Sequence, residues 1–204
     1  TTNTIIGDQN PQDINDIIYD GAGNDRIEGR NGDDTIYAFS GGDDWILGGA
    51  GTDAISAAAG NDIAEGNAGS DGVFGGAGND QLFGEDKRDI KTLVAQGETA
   101  ANINEKGDLL AGNEGNDLIY GTNAKDYLFG GQGNDLLAGG GGDDILFGDI
   151  NIDPKFKPNN WDIVATRNND TGQYGVTLVN INLDTNLDYK GNDPIYGGAG
   201  DDLV

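Results

Sequence analysis

The chain of 204 residues has no histidine, no cysteine and no methionine. Without histidine it has no Ser-His-Asp triad and no H-E-x-x-H zinc site, and it also lacks a G-x-S-x-G elbow. Residue type alone leaves a carboxylate-pair glycosidase open. Basic residues are scarce, 11 against 36 acidic ones, for a formal charge of −25. That balance argues against nucleic acid or an anionic membrane surface as a direct partner. No apolar run is long enough to insert into a bilayer, and no signal-peptide pattern occurs. The missing cysteine decides nothing about compartment.

What the chain does have is glycine, 37 residues of it. Glycine loses the most entropy on folding, and self-repulsion at this charge favours an expanded chain, so composition alone suits a disordered acidic segment. The order of the residues argues otherwise. "DGAGNDRIE" (20–28), "GRNGDDTIY" (29–37), "FSGGDDWIL" (39–47), "GGAGTDAIS" (48–56), "AAAGNDIAE" (57–65), "GNAGSDGVF" (66–74) and "GGAGNDQLF" (75–83) follow one another at nine-residue spacing, with Ala38 as one extra residue. A second tract runs through "GNEGNDLIY", "GTNAKDYLF", "GGQGNDLLA" and "GGGGDDILF" (112–147), after a shortened unit "KGDLLA". A third begins at "KGNDPIYGGAGDDLV".

Two positions of the repeat hold their chemistry. The eighth is apolar: Ile18, Ile27, Ile36, Ile46, Ile55, Ala64, Val73, Leu82, Leu110, Ile119, Leu128, Leu137, Leu146 and Ile195. The sixth is always aspartate: Asp16, Asp25, Asp34, Asp44, Asp53, Asp62, Asp71, Asp80, Asp108, Asp117, Asp126, Asp135, Asp144, Asp193 and Asp202. Disorder gives no reason for such register. Three residues such as Asp80, Gln81 and Leu82 suffice for a very short strand with Leu82 inward and Gln81 and Phe83 outward. A strand so short needs neighbours, so the units must stack as a solenoid.

Here the chain resembles a known family. "GGAGNDQLF" and "GGQGNDLLA" are similar to the nonapeptide G-G-x-G-x-D-x-U-x of RTX (repeats-in-toxin) calcium-binding proteins, and the likeness covers about two thirds of the chain. The resemblance implies an all-β fold, a parallel β-roll with about eighteen residues per coil and calcium held between stacked turns on both edges. Calcium takes six to eight oxygens, which carboxylates and glycine-freed carbonyls supply. The fifteen aspartates above are then the expected ligands. Stacking pairs Asp16 with Asp34, Asp34 with Asp53 and Asp53 with Asp71 on one edge, and Asp25 with Asp44, Asp44 with Asp62 and Asp62 with Asp80 on the other. In the second tract it pairs Asp108 with Asp126, Asp126 with Asp144 and Asp117 with Asp135. About nine ions or more follow.

Some units depart from the pattern. Ala124 and Lys125 place a non-glycine and an ammonium beside Asp126, which predicts a weak or missing ion there. Phe39 and Ser40 stand at the first two glycine places of their unit, as do Ala57 and Ala58 of theirs. Ala64 leaves a small residue in the core, with Ile63 either outward or shifted in.

The expected organisation is an opening segment (1–10), a first roll (11–84), an insertion forming a loop or short helix (85–106), a second roll (107–148), a hairpin-like insertion (149–190) and the start of a further roll (191–204). "DIKTLVA" carries helical spacing in the first insertion, while "WDIVAT" and "YGVTLVNI" around "NNDTG" read as a hairpin in the second. "NINLDTNLDY" reads as a one-sided strand. D-x-N-x-D occurs at Asp149, Asn151 and Asp153 and at Asp184, Asn186 and Asp188, but each lacks the glycine and glutamate of an EF-hand loop. The outward positions of the second tract are apolar: Tyr127 with Phe129, Ile145 with Phe147, Leu118 with Tyr120, and Leu136 with Ala138. This implies cover by the insertions or a partner chain.

The function expected is a calcium-binding structural module of a secreted or cell-surface bacterial protein, in a surface layer, filament or adhesin. It would fold outside the cell, where calcium reaches the range that extracellular modules bind. Its partners would be calcium, the rest of a longer chain or copies of itself, with no nucleic acid and no membrane insertion. The alternative is an accessory roll of a secreted protease, lipase or alginate epimerase. The absent initial methionine and the broken final repeat suggest a piece of something longer.

Overall fold

The computed structural model describes residues 2–7, 15–85, 106–149, 162–167, 174–179, 193–199 and 202–204. Its strands, numbered in chain order, alternate between two parallel sheets. One sheet holds β1 (Thr4–Ile6), β3 (Arg26–Asn31), β5 (Trp45–Gly51), β7 (Ile63–Gly69), β9 (Gln81–Phe83), β11 (Leu118–Tyr120), β13 (Leu136–Gly141) and β17 (Ile195–Ala199), stacked in that order. The facing sheet holds β2 (Ile17–Tyr19), β4 (Thr35–Tyr37), β6 (Ala54–Ala59), β8 (Gly72–Ala77), β10 (Lys106–Glu114), β12 (Lys125–Gln132) and β14 (Ile145–Phe147). Two strands and two turns make one coil. The molecule is an all-β solenoid, with no helix among the described residues.

Register follows the repeat. Ile27 pairs with Ile46, Ile46 with Ala64 and Ala64 with Leu82 in one sheet, and Ile18, Ile36, Ile55 and Val73 align in the other. All the eighth-position side chains through Leu146 form one buried cluster between the sheets, with Ile5 and Ile195 packed at its ends. Ala64 points into this core and Ile63 outward, beside Trp45 and Gln81.

The tracts form one stack. β8 pairs with β10 and β9 with β11 across the first interruption, and β13 pairs with β17 across the second. The described strands on either side of each interruption therefore stack as neighbouring coils in register. The opening residues also join the stack, because Thr4, Ile5 and Ile6 pair with Arg26, Ile27 and Glu28.

The extra residue of the third unit needs correcting. Ala38 is fully buried, donates its N–H to the carbonyl of Ser56 and belongs to the core cluster with Ala57. Ala38 thus occupies the first position of its unit, and the bulge falls after it, where Phe39 is 62% exposed.

In the second insertion β15 (Asp162–Arg167) and β16 (Tyr174–Val179) pair antiparallel, Asp162 opposite Val179 and Arg167 opposite Tyr174. The helical spacing of "DIKTLVA", the strand expected in "NINLDTNLDY" and the second D-x-N-x-D triplet lie outside the described residues, as do Asn151 and Asp153 of the first. On the outer face of the second sheet Phe74, Leu109, Tyr127, Phe129 and Ile145 are buried, whereas Ile17 and Tyr19 at its far end are exposed.

Candidate metal-binding margins

Each coil carries one repeat aspartate at each of its two turns. On one margin the backbone N–H of Asp16 donates to Oδ1 of Asp34, and the pattern continues through Asp53, Asp71, Asp108, Asp126, Asp144 and Asp202. On the other it runs from Asp25 through Asp44, Asp62, Asp80, Asp117 and Asp135 to Asp193. Donor–acceptor distances in the two ladders run from 2.7 Å to 3.1 Å. The nine aspartate pairs expected from stacking are neighbours in these ladders. Sequence reasoning missed the links Asp71 to Asp108, Asp80 to Asp117, Asp135 to Asp193 and Asp144 to Asp202, which bridge the interruptions.

The second oxygen of ten of these carboxylates is in a different situation. Oδ2 of Asp25, Asp44, Asp53, Asp62, Asp71, Asp80, Asp108, Asp117, Asp135 and Asp144 is buried and accepts no hydrogen bond. Such an oxygen is costly to bury unless something positive meets it. Burial pushes Asp53, Asp62 and Asp71 up to about 7, Asp117 and Asp144 to about 8, and Asp80 and Asp135 to about 6. The backbone N–H on Oδ1 opposes that rise in each case, and for Asp53 and Asp62 the carboxylates above and below add to it. Asp44 and Asp108 are raised by burial as well.

Glycine makes this arrangement possible in two ways. At the first repeat position a Cβ on Gly75 would lie 2.3 Å from Oδ2 of Asp80, so the bare Cα leaves room for the carboxylate five residues on. At the fourth position Gly78 has φ +138°, and its Cβ would lie 1.6 Å from the carbonyl oxygen of Gly60 in the adjacent coil.

Among the described residues no three acidic side chains gather at one point. The margins instead offer a carboxylate at every coil with a glycine carbonyl close by, as where a Cβ on Gly48 would lie 2.6 Å from Oδ2 of Asp53 and 2.7 Å from the carbonyl oxygen of Gly66. This oxygen-only donor set suits a hard cation.

Two features escaped the sequence reading. Along one margin the fifth-position side chains form an exposed polar ladder. Asn79 donates its backbone and side-chain N–H groups to Oδ1 of Asn61, Asn116 does the same to Asn79, and Asn134 to Asn116. Asparagine recurring at that position was the available signal. The other feature is the turn before Asp126. Lys125 does not address that carboxylate, since its ammonium lies over the ring of Tyr127, 5.3 Å from the centroid. Thr122 donates to Asp126 instead, through its backbone N–H to Oδ2 and through its hydroxyl, at 3.0 Å from Oδ2 and 3.2 Å from Oδ1.

The family of the RTX calcium-binding nonapeptide repeat (4 copies) matches residues 13–38, 40–64, 56–90, 104–137, 120–153 and 188–204. No curated protein matches the chain.

Proposed function

The chain belongs to the RTX calcium-binding nonapeptide-repeat family, and from that premise we propose that calcium ions along both margins cement its coils into a rigid structural module of a secreted or cell-surface protein. The observation that carries this reading is the pair of ladders in which Oδ2 of ten repeat aspartates is buried without a donor. Calcium supplies positive charge and a demand for several oxygens at those turns. The chain's part is to hold Oδ1 in place with the N–H of the neighbouring coil and to bring Oδ2 and glycine carbonyls close together.

The ligands proposed are the sixth-position aspartates from Asp16 to Asp202, with Asp126 set apart by Thr122. Metal binding then becomes folding free energy. The repeat family is not an enzymatic one. A rigid spacer or lattice element of a surface layer, filament or adhesin fits the uninterrupted stack best. The second reading, an accessory roll of a secreted enzyme, rests on the family's nature alone.

Calcium titration of the metal-stripped chain, followed by circular dichroism and small-angle scattering, tests the proposal. A compact β signal that appears with calcium and disappears with chelator is expected. A compact β signal that persists in chelator at neutral pH rejects it, as does a titration left unchanged by removing the Asp44 and Asp62 carboxylates together.

A further inference from the structure

We propose that the turn 121–125 is a metal-free joint in the calcium ladder, where Thr122 takes over the work that a cation does for the other repeat aspartates. The inference rests on the reading of the margins given above. The ten ladder aspartates named above, among them Asp108 and Asp144 on either side of Asp126, have Oδ1 on a neighbouring N–H and an unmatched Oδ2. Asp126 has both oxygens matched: Oδ1 accepts the N–H of Asp108 at 2.7 Å, and Oδ2 accepts the N–H of Thr122. The Thr122 hydroxyl donates to the same carboxylate and accepts the N–H of Ala124 at 3.1 Å, so its own hydrogen-bonding capacity is used within the turn.

The backbone agrees. Neighbouring units put their second and fourth positions at positive φ, as at Gly131 and Gly133 or Gly140 and Gly142, and Asn67 and Asn113 do so at the second position without being glycine. Thr122 and Ala124 do not. The backbone before Asp126 therefore differs from that before Asp144, although the Thr122 and Ala124 carbonyls still meet Gly140 and Gly142 of the next coil. Its place in the fold is also particular. A Cβ on Gly84, just before the first interruption, would lie 2.6 Å from the Thr122 methyl and 2.1 Å from Oδ2 of Asp108. The joint thus sits beside the point where the chain leaves the stack and where Asp108 resumes it. A contact that closes without metal keeps that coil in register whatever the calcium supply.

The test counts calcium bound per chain, by native mass spectrometry and by isothermal titration with calcium chloride, on the full chain. Asp126→Asn is expected to bind as many ions as the parent, and Asp53→Asn at least one fewer. Thr122→Gly combined with Ala124→Gly, which restores the glycine pattern and takes the Thr122 hydroxyl away from Oδ2, is expected to bind at least one more. Loss of an ion in Asp126→Asn overturns the joint, and so does an unchanged count in the double glycine variant. An unchanged count in Asp53→Asn removes the ladder reading itself and the joint with it.

Discussion

The backbone N–H of Asp53 donates to Oδ1 of Asp71, 2.8 Å away in the next coil. Eighteen residues of sequence separate the two. The contact joins what the repeat holds constant along the chain to what the solenoid brings together in space. It also divides one side chain in two, Oδ1 tied to the neighbouring coil and Oδ2 buried without a donor.

That division can be separated by mutation. Asp71→Asn keeps an oxygen for the Asp53 N–H but removes the charge, whereas Asp71→Ala removes both. In saturating calcium, urea unfolding is expected to show the alanine variant destabilised by about 1.5–3 kcal/mol, the range for losing a hydrogen bond to a charged group. The asparagine variant should lose less stability yet bind calcium more weakly. Equal loss in the two variants would show that Oδ2 carries no separate role.

The raised carboxylates give the metal-free chain an inverted pH dependence. Asp53, Asp62 and Asp71 are pushed up to about 7 and Asp117 and Asp144 to about 8, against 3.8 ordinarily. A group whose folded pKa is raised contributes fully below its unfolded pKa and loses that contribution as pH rises through the folded one. In chelator, the β signal should therefore be strongest near pH 4, fall as pH rises and level off above pH 8. In calcium the order reverses, because protons compete for the same oxygens, and apparent calcium affinity should drop as pH falls. Circular dichroism across pH with and without calcium reads both trends.

Register and core were legible in the sequence because each rests on a single side chain per repeat. Ile46 had to face inward, and Asp44 had to follow it. Continuity across the interruptions was hidden, since nothing in the spacing between Asp80 and Asp117 tells whether the chain returns to the same stack. The bulge was misplaced because Ala38 and Phe39 both fit an insertion by count, and only burial separates a methyl that the core accepts from a ring that it does not. At Asp126 the sequence drew attention to Lys125, whereas the carboxylate's partner within the turn is Thr122. A lysine next to the carboxylate looked like the competitor, but its long stem carries the ammonium to Tyr127, while the short side chain of Thr122 stays within reach.

Glycine substitutions separate local strain from loss of metal. Gly78→Ala puts a Cβ 1.6 Å from the carbonyl oxygen of Gly60 at φ +138°, so the turn must move. The backbone strain alone costs on the order of 1–3 kcal/mol. Gly141→Ala meets its nearest atom, Oδ1 of Asn123, at 3.2 Å without a positive φ, and is expected to fold with nearly parental stability. Thermal unfolding in saturating calcium should separate the two, and similar midpoints would contradict the close approach of glycine backbones between coils.

The outer face of the second sheet supplies the last test, because its two ends differ in cover. Phe129 is 1% exposed although its position in the strand turns it away from the core, and it stacks on Phe147 with ring centroids 5.5 Å apart. Phe39, on the bulge near the other end, is 62% exposed and stacks on Tyr37 at 4.8 Å. Truncating a buried phenylalanine to alanine costs about 3–5 kcal/mol, while a surface change of this kind stays within about 0.5 kcal/mol. Phe129→Ala should therefore lower stability in calcium by several kcal/mol, and Phe39→Ala by little. The contrast separates cover from stacking, since both rings have an aromatic neighbour and only one is shielded from water. If the two variants lost equal stability, the aromatic stack would be the stabilising element and the cover over Phe129 incidental.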